Sequence, residues 1–277
     1  MRNIRSMALL AGVSLLGSAC GSPEAGPEHP SEASREGMSF DEFKATAYDE
    51  PDSDVFVVNG DTAVEGVDGL RRYYDTFVNP ELGTHQDALA AYCDSTGMPI
   101  KWSATAAQNL TYCISTSSFG SRYATVVSAM NSATAAWEAT ANVNFKHLSQ
   151  FDSNCTASQT GVVFDVRQTT ATSYLARSFF PNTARSGRNV LISSNAFGNI
   201  APFTLTGVLR HELGHALGFR HDYPSDSSCY EGPVTCRLTP YDPNSIMNYP
   251  QCGGGQAGDL VLSALDKQGA RLLYPFP

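Results

Sequence analysis

Three histidines and a glutamate fall in one stretch of eleven residues, His211-Glu212-Leu213-Gly214-His215-Ala216-Leu217-Gly218-Phe219-Arg220-His221. The chain has six histidines in 277 residues, so half of them lie here. On a helix, residues four apart share a face, so His211 and His215 can reach one metal ion together. Glu212, beside a ligand, can take a proton from metal-activated water. Gly218 is the residue type that ends a helix in the left-handed conformation, and the resulting turn can bring His221 back as a third ligand. Three protein ligands leave one position open, the mark of a catalytic rather than a closed structural Zn²⁺ site. Two histidines at this spacing also occur by chance as a solvated pair on a helix face; Gly218 and His221 favour the metal. Leu205, Leu209, Leu213 and Leu217 form an apolar stripe at i, i+4 spacing. The histidines lie roughly opposite, so one face of this helix is expected to pack on a core while the other lines a cleft.

About thirty residues downstream comes Ser245-Ile246-Met247-Asn248-Tyr249. With both motifs present, the chain resembles the metzincin clan of zinc endopeptidases, which carry His-Glu-x-x-His-x-x-Gly-x-x-His followed by a tight turn containing methionine. The resemblance implies that Met247 forms an apolar floor beneath the zinc. It also implies, as in the astacin-like and serralysin-like branches, that Tyr249 approaches the metal and stabilises the tetrahedral intermediate. The plain alternative for Tyr249 is a core residue with its hydroxyl satisfied. Residues 262–274 resemble the last helix of matrixin-like catalytic domains, with Ser263 capping and Asp266 three residues on. Within the clan the likeness is greatest to the bacterial dual-action HEIGH metallopeptidases, with His-Glu-Leu-Gly-His as a conservative departure. Asp222, after the third histidine, matches the adamalysins, which lack the tyrosine.

These residues need a scaffold, and the chain is long enough for one large domain or for a catalytic domain with a smaller companion. Hydrophobic residues make up 42%, enough for a sizeable core. The net charge of −9, with no cluster of Lys and Arg, excludes a nucleic-acid partner. Arg2 and Arg5 precede an apolar run over 7–16 and the small residues Gly17, Ser18 and Ala19, which reads as an export signal. Cys20 follows, as in bacterial lipoproteins, where the cysteine carries the lipid; ordinary secretion with cleavage nearby is the alternative. The mature protein is thus expected in the cell envelope, attached to the membrane through a lipidated Cys20, or secreted. Six further cysteines suggest three disulfides in an oxidising compartment. Of fifteen pairings, Cys229–Cys236 suits the Gly232-Pro233 loop between them, with Cys93–Cys113 and Cys155–Cys252 completing one set.

Residues 21–37 are rich in Pro, Glu, Ser and Gly and read as a tether. Residues 38–95 form a pro-segment or accessory unit: a helix capped by Ser39 with Glu42, a strand over 55–58 ending at Asn59-Gly60, and a helix over 70–78. The catalytic domain spans 96–277. Strands are expected over 110–115, 143–147, 162–167, 175–180 and 189–193, with a helix over 123–141. The fold class is α+β, close to α/β: a twisted sheet of about five strands, an active-site helix and a C-terminal helix. By order, 175–180 matches the antiparallel edge strand with which metzincins pair substrate; a covered edge is the equal alternative.

The chemistry implied is peptide-bond hydrolysis through zinc-activated water, with His211, His215 and His221 as ligands, Glu212 as general base and Tyr249 assisting the oxyanion. The partner is a protein or peptide substrate. His29, His85 and His147 belong to no such constellation and read as surface or structural residues. Astacin-like pro-segments place an aspartate from Phe-x-Gly-Asp on the zinc, and Val58-Asn59-Gly60-Asp61 resembles that motif. Asp61 is therefore a candidate latency ligand, beside the simpler reading of a plain Asn-Gly turn. A Cys93 thiolate is a rival that breaks the even cysteine count. Two other functions remain in competition: a zinc-binding lipoprotein acting as adhesin or scaffold, and a zinc hydrolase of cell-wall peptides.

Overall fold

The computed structural model describes residues 38–51, 53–78, 89–94, 96–221, 223, 229 and 236–277. The expectations for residues 1–37, including Cys20 and His29, and those for His85 and Asp222 lie outside them.

A small N-terminal unit comes first. Helix α1 (Phe40–Thr46) opens with the expected capping box, Ser39 with Glu42. Strands β1 (Tyr48–Asp49), β2 (Val55–Val58) and β3 (Thr62–Glu65) form an antiparallel sheet in that order, with Asn59-Gly60 turning β2 into β3. Helix α2 (Gly66–Tyr73) continues into a π-helical segment, Tyr74–Val78. This unit has its own core, including Phe40, Phe43, Phe56, Leu70, Tyr73 and Phe77.

The larger unit begins with β4 (Ala90–Ala91) and α3 (Ala104–Ala107). Then come β5 (Leu110–Ile114), α4 (Thr116–Phe119), α5 (Tyr123–Glu138), β6 (Phe145–His147), β7 (Phe164–Thr169), β8 (Ala176–Arg177) and β9 (Asn189–Ser193). The chain ends through α6 (Leu205–Leu217), β10 (Phe219–Arg220), β11 (Cys236–Arg237) and α7 (Ala264–Leu273). The main sheet has the order β6-β5-β7-β9-β8. Its pairs are parallel except β8, which runs antiparallel to β9 at one edge. The α+β class, the five strands and the antiparallel edge all agree with expectation.

Core formation explains this arrangement. Val126, Met130, Ala133 and Trp137 recur at helical spacing on α5 and are buried against α6. Trp137 donates its indole N–H to the Arg210 carbonyl at 2.8 Å and stacks on Phe219. Leu209, Leu213 and Leu217 are fully buried, each worth about 1.5–3 kcal/mol relative to exposure. The face opposite the leucine stripe is buried too, because the small unit covers it. Among the described residues no helix is long and apolar enough to cross a membrane.

Strand β4 lies between β10 and β11 in a second sheet, and Leu89, Ala91 and Cys93 belong to the larger core. One expectation, the cysteine pairing, needs correction. The disulfides are Cys93–Cys236, Cys113–Cys155 and Cys229–Cys252, not the set drawn from spacing. Pairing follows the folded neighbours. Cys93 and Cys236 flank the β4–β11 ladder, and the Asp152 carboxylate, bound to Ile114 N, brings Cys155 onto Cys113. The bonded state of Cys93 also removes it as a free latency thiolate.

Candidate metal centre and cleft

Helix α6 is capped at its start by Thr204, whose hydroxyl accepts from Gly207 N. It presents His211 and His215 one turn apart. At its end Gly218 adopts φ 102° and ψ 10°, and the chain reverses through β10 to His221. A side chain at Gly218 is excluded twice over. That φ is unfavourable for an L-residue, and a Cβ would overlap the Ile100 carbonyl oxygen.

The imidazoles of His211, His215 and His221 converge, all buried. Nδ1 of His211 faces the Ile246 carbonyl at 2.6 Å, and Nδ1 of His215 the Phe219 carbonyl at 2.8 Å. Donation there leaves the Nε2 lone pairs aimed inward, as in metal-binding histidines whose other ring nitrogen is held by a carbonyl. Burial lowers the pKa of His211 and so favours its neutral, ligating form.

The fourth corner is a carboxylate from the small unit. Asp61 Oδ2 lies 3.0 Å from Nε2 of His211, 3.5 Å from that of His215 and 3.4 Å from that of His221. Nε2 of His211 and His221 are 3.2 Å apart. Four ligands of a tetrahedral zinc, each about 2.0–2.1 Å from the ion, stand about 3.3 Å from one another, so the donor set and its spacing fit that ion. Nε2 of His215 is buried without a hydrogen-bond partner, as a group meant for a metal would be. Burial opposes the charge on Asp61, but His221 and His215 outweigh it and hold the carboxyl well below its usual range. The Asn-Gly turn and the carboxylate at the metal position are thus both present in the same hairpin.

Glu212 lies on the cleft side of α6. Its Oε2 is buried with no hydrogen-bond partner. Burial, with the Asp61 charge added, raises its pKa well above the ordinary carboxyl value. Tyr249 donates its hydroxyl to Asp61 Oδ2 and stacks on His211. Burial and the neighbouring Asp61 and Glu212 charges push its pKa up, so it stays a donor.

Met247 is buried beneath α6, so close that a Cβ on Gly214 would overlap its sulfur. The turn that carries Met247 is fixed from α7. Asp266 accepts from Ser245 Oγ at 2.6 Å and Ile246 N at 2.8 Å while closing its own capping box with Ser263. Sequence reasoning found the cap and missed this second role.

A cavity of about 500 Å³ opens beside the centre, lined by Tyr174, Ala176, Phe203, Val208, Glu212 and Tyr249 among others. The small unit occupies the sheet edge next to it: Thr62 forms a parallel bridge with Ser178. Behind that bridge Glu50 accepts from Arg177 Nε at 3.2 Å and from Tyr174 Oη at 2.5 Å, and also pairs with Arg177 Nη2. None of these three was singled out in the sequence. His147, as expected, stands apart, bound to Asp152 at 2.9 Å.

Three buried imidazoles, a glutamate beside them and an antiparallel edge strand alongside define a metallopeptidase of the metzincin type. The chain belongs to the matrixin family, whose model matches residues 101–249, and it is a metalloprotease of the metzincin clan. Two solved structures are similar to it, titled "Structure of myroilysin" and "Crystal structure of myroilysin". The first has 17% identity and a TM-score of 0.45, covering 64% of this chain and 97% of that one. The second has 17% identity and a TM-score of 0.44, covering 70% and 94%. No curated protein matches the chain.

Proposed function

We propose that this protein is an exported, zinc-dependent endopeptidase made as a latent precursor, with residues 38–78 as the inhibitory pro-unit. The observation that carries the reading is the Asp61 carboxylate seated on the three inward-facing imidazoles. His211, His215 and His221 hold the zinc in this reading, and Asp61 fills the position that a catalytic site keeps open. Zinc supplies Lewis acidity to water and to the scissile carbonyl. Glu212 takes the proton from the attacking water at its unpaired oxygen and delivers it to the leaving amine. Tyr249, released from Asp61, donates its hydroxyl to the developing oxyanion. Strand β8 offers backbone partners to an extended peptide once the small unit has left.

Three disulfides support an oxidising, extracytoplasmic setting, in line with the signal over 1–20. A lipidated Cys20 and a tether over 21–37 would place the enzyme on the cell envelope. The core membership of Leu89 and Cys93 supports a mature chain that begins before Leu89.

The test uses the full chain with a site-specific protease sequence placed within residues 79–88 and cut after folding. The cut protein is expected to contain one zinc and to hydrolyse casein. Glu212→Ala should keep the zinc and lose about 10²–10⁴ of the rate. Zinc without hydrolysis of any unfolded substrate would overturn the protease reading in favour of an adhesin or scaffold; cleavage confined to cell-wall crosslinks would assign the narrower hydrolase.

A further inference from the structure

Arg177 is a charged side chain, 3% exposed, on the edge strand of a sheet. Its bonds run to Glu50 and to Asn189, the latter at 2.6 Å. Asn189 is neutral, and the nearby Asp165 is already engaged by Arg167 and Arg185. Among the described residues, Glu50 is therefore the one carboxylate bonded to this guanidinium, and Glu50 belongs to the pro-unit. When that unit leaves, the guanidinium and the Tyr174 hydroxyl lose the partner that compensates their burial. Their burial is that of the docked precursor; with the small unit gone, the guanidinium and the hydroxyl are uncovered and still aimed at the place where a carboxylate sat, so a substrate carboxylate can take up the same bonds.

The position of Arg177 says what would supply it. Ala176 pairs with the core residue Ile192, whereas Arg177 pairs with Leu191 on the opposite face of the strand. An extended peptide added along β8 alternates its side chains between the same two faces. Every second residue therefore falls on the Arg177 side. Ser178, next in the chain, is bridged by Thr62, and Asp61 beside Thr62 sits at the metal position. At about 3.3 Å per residue, Arg177 is level with a substrate side chain one to three residues from the scissile bond.

Resting on the proposed release of the pro-unit, we infer that Arg177, with Tyr174, is a specificity-determining pair in the mature enzyme, selecting an acidic side chain of the peptide substrate near the scissile bond. Glu50 occupies that subsite in the precursor. The Arg177 fork suits a carboxylate donated to by two N–H groups, and Tyr174 adds a third donor from the side. A glutamine at the same substrate position fills the space without the charge.

The experiment measures peptide binding rather than turnover. The full chain carrying Glu212→Ala is cut after folding, and fluorescence anisotropy follows a neutral peptide in which Glu, Gln or Lys is placed at each position in turn. One position is expected to favour Glu over Gln by about tenfold to a hundredfold in Kd, the range of charge-assisted hydrogen bonds, and to disfavour Lys further. Arg177→Gln should abolish that contrast, and Arg177→Lys should keep part of it. No acidic preference at any position, or a preference undiminished in Arg177→Gln, overturns the inference. If Arg177→Gln fails to fold, the contrast between Glu, Gln and Lys on intact Arg177 still decides. Cut wild-type protein that hydrolyses casein while no acidic preference exists sinks this inference and leaves the protease reading intact. Acidic preference without hydrolysis of any substrate does the reverse.

Discussion

Gly218→Ala tests whether the reversal after α6 is what completes the metal centre. Two costs add. At φ 102° an alanine is in a conformation that an L-residue adopts at about 1–2 kcal/mol. The new Cβ also overlaps the Ile100 carbonyl oxygen; that is backbone and cannot swing away, and overpacking of this kind costs about 1–3 kcal/mol. The total is about 2–5 kcal/mol, which at about 2–4 °C per kcal/mol for a unit of this size lowers Tm by about 4–20 °C. Gly253 provides the control. It has φ 91°, and no heavy atom lies within 4 Å of a Cβ built there, so Gly253→Ala carries the conformational cost alone. The two variants are compared by differential scanning fluorimetry with and without zinc, and by zinc competition with a chelator. Gly218→Ala should melt lower than Gly253→Ala and bind zinc more weakly, because the displaced turn carries His221. Equal melting temperatures within about 2 °C, a difference smaller than 1 kcal/mol would give, together with unchanged zinc affinity, would refute the reasoning.

Replacing Asp61 with Ala in the uncut chain should raise basal hydrolysis of casein, since the metal position is no longer filled; unchanged latency would mean that the carboxylate is not the block. Glu50→Gln should weaken docking of the pro-unit by about 3–5 kcal/mol, the penalty of leaving a buried arginine unpaired, read as faster clearance of the pro-unit from the cut protein. Acid should act on the same contact. Burial raises the Glu50 pKa, but Arg177, Tyr174 and Ser53 outweigh it and the net shift is downward. Its contribution is therefore fully present above the unfolded value of about 4.3 and is lost as pH falls through the lower folded value. Pro-unit retention in the cut protein should hold at pH 5 and drop only in more acid buffer; release beginning near neutrality would contradict this. Opening Cys113–Cys155, which spans 42 residues, should cost about 4 kcal/mol by loop entropy, seen as a lower denaturation midpoint in Cys113→Ser/Cys155→Ser.

What could be read from the sequence was local or periodic. His211, His215 and Gly218 act within one helix and its cap, and the strands at 110–114, 164–169 and 189–193 announce themselves by short runs of β-formers between turn residues. The edge strand was placed correctly but reduced to Ala176–Arg177, because ladder pairing, not composition, sets strand length. What escaped detection depends on pairs far apart in the chain. Glu50 and Arg177 are 127 residues apart and Asp61 and His211 are 150 apart, and Glu50, Arg177 and Asp61 look like ordinary surface charges until the fold buries them. Only the likeness of Val58-Asn59-Gly60-Asp61 to a known pro-segment pointed toward the carboxylate at all. Cysteine spacing misled for the same reason, since partners such as Cys93 and Cys236 meet through neighbouring strands.

In the proposed precursor, the separate aromatic core of residues 38–78 would give activation a dependence on volume. While both units share one chain, docking is first order, with an effective local concentration of about millimolar. Cutting the connection leaves every contact in place but makes the same encounter second order. Occupancy of the cleft is then set by how much the two pieces are diluted. On the proposed latency, the severed unit would return at a crowded surface and inhibit its own enzyme. In a large volume it would drift away and leave the enzyme on.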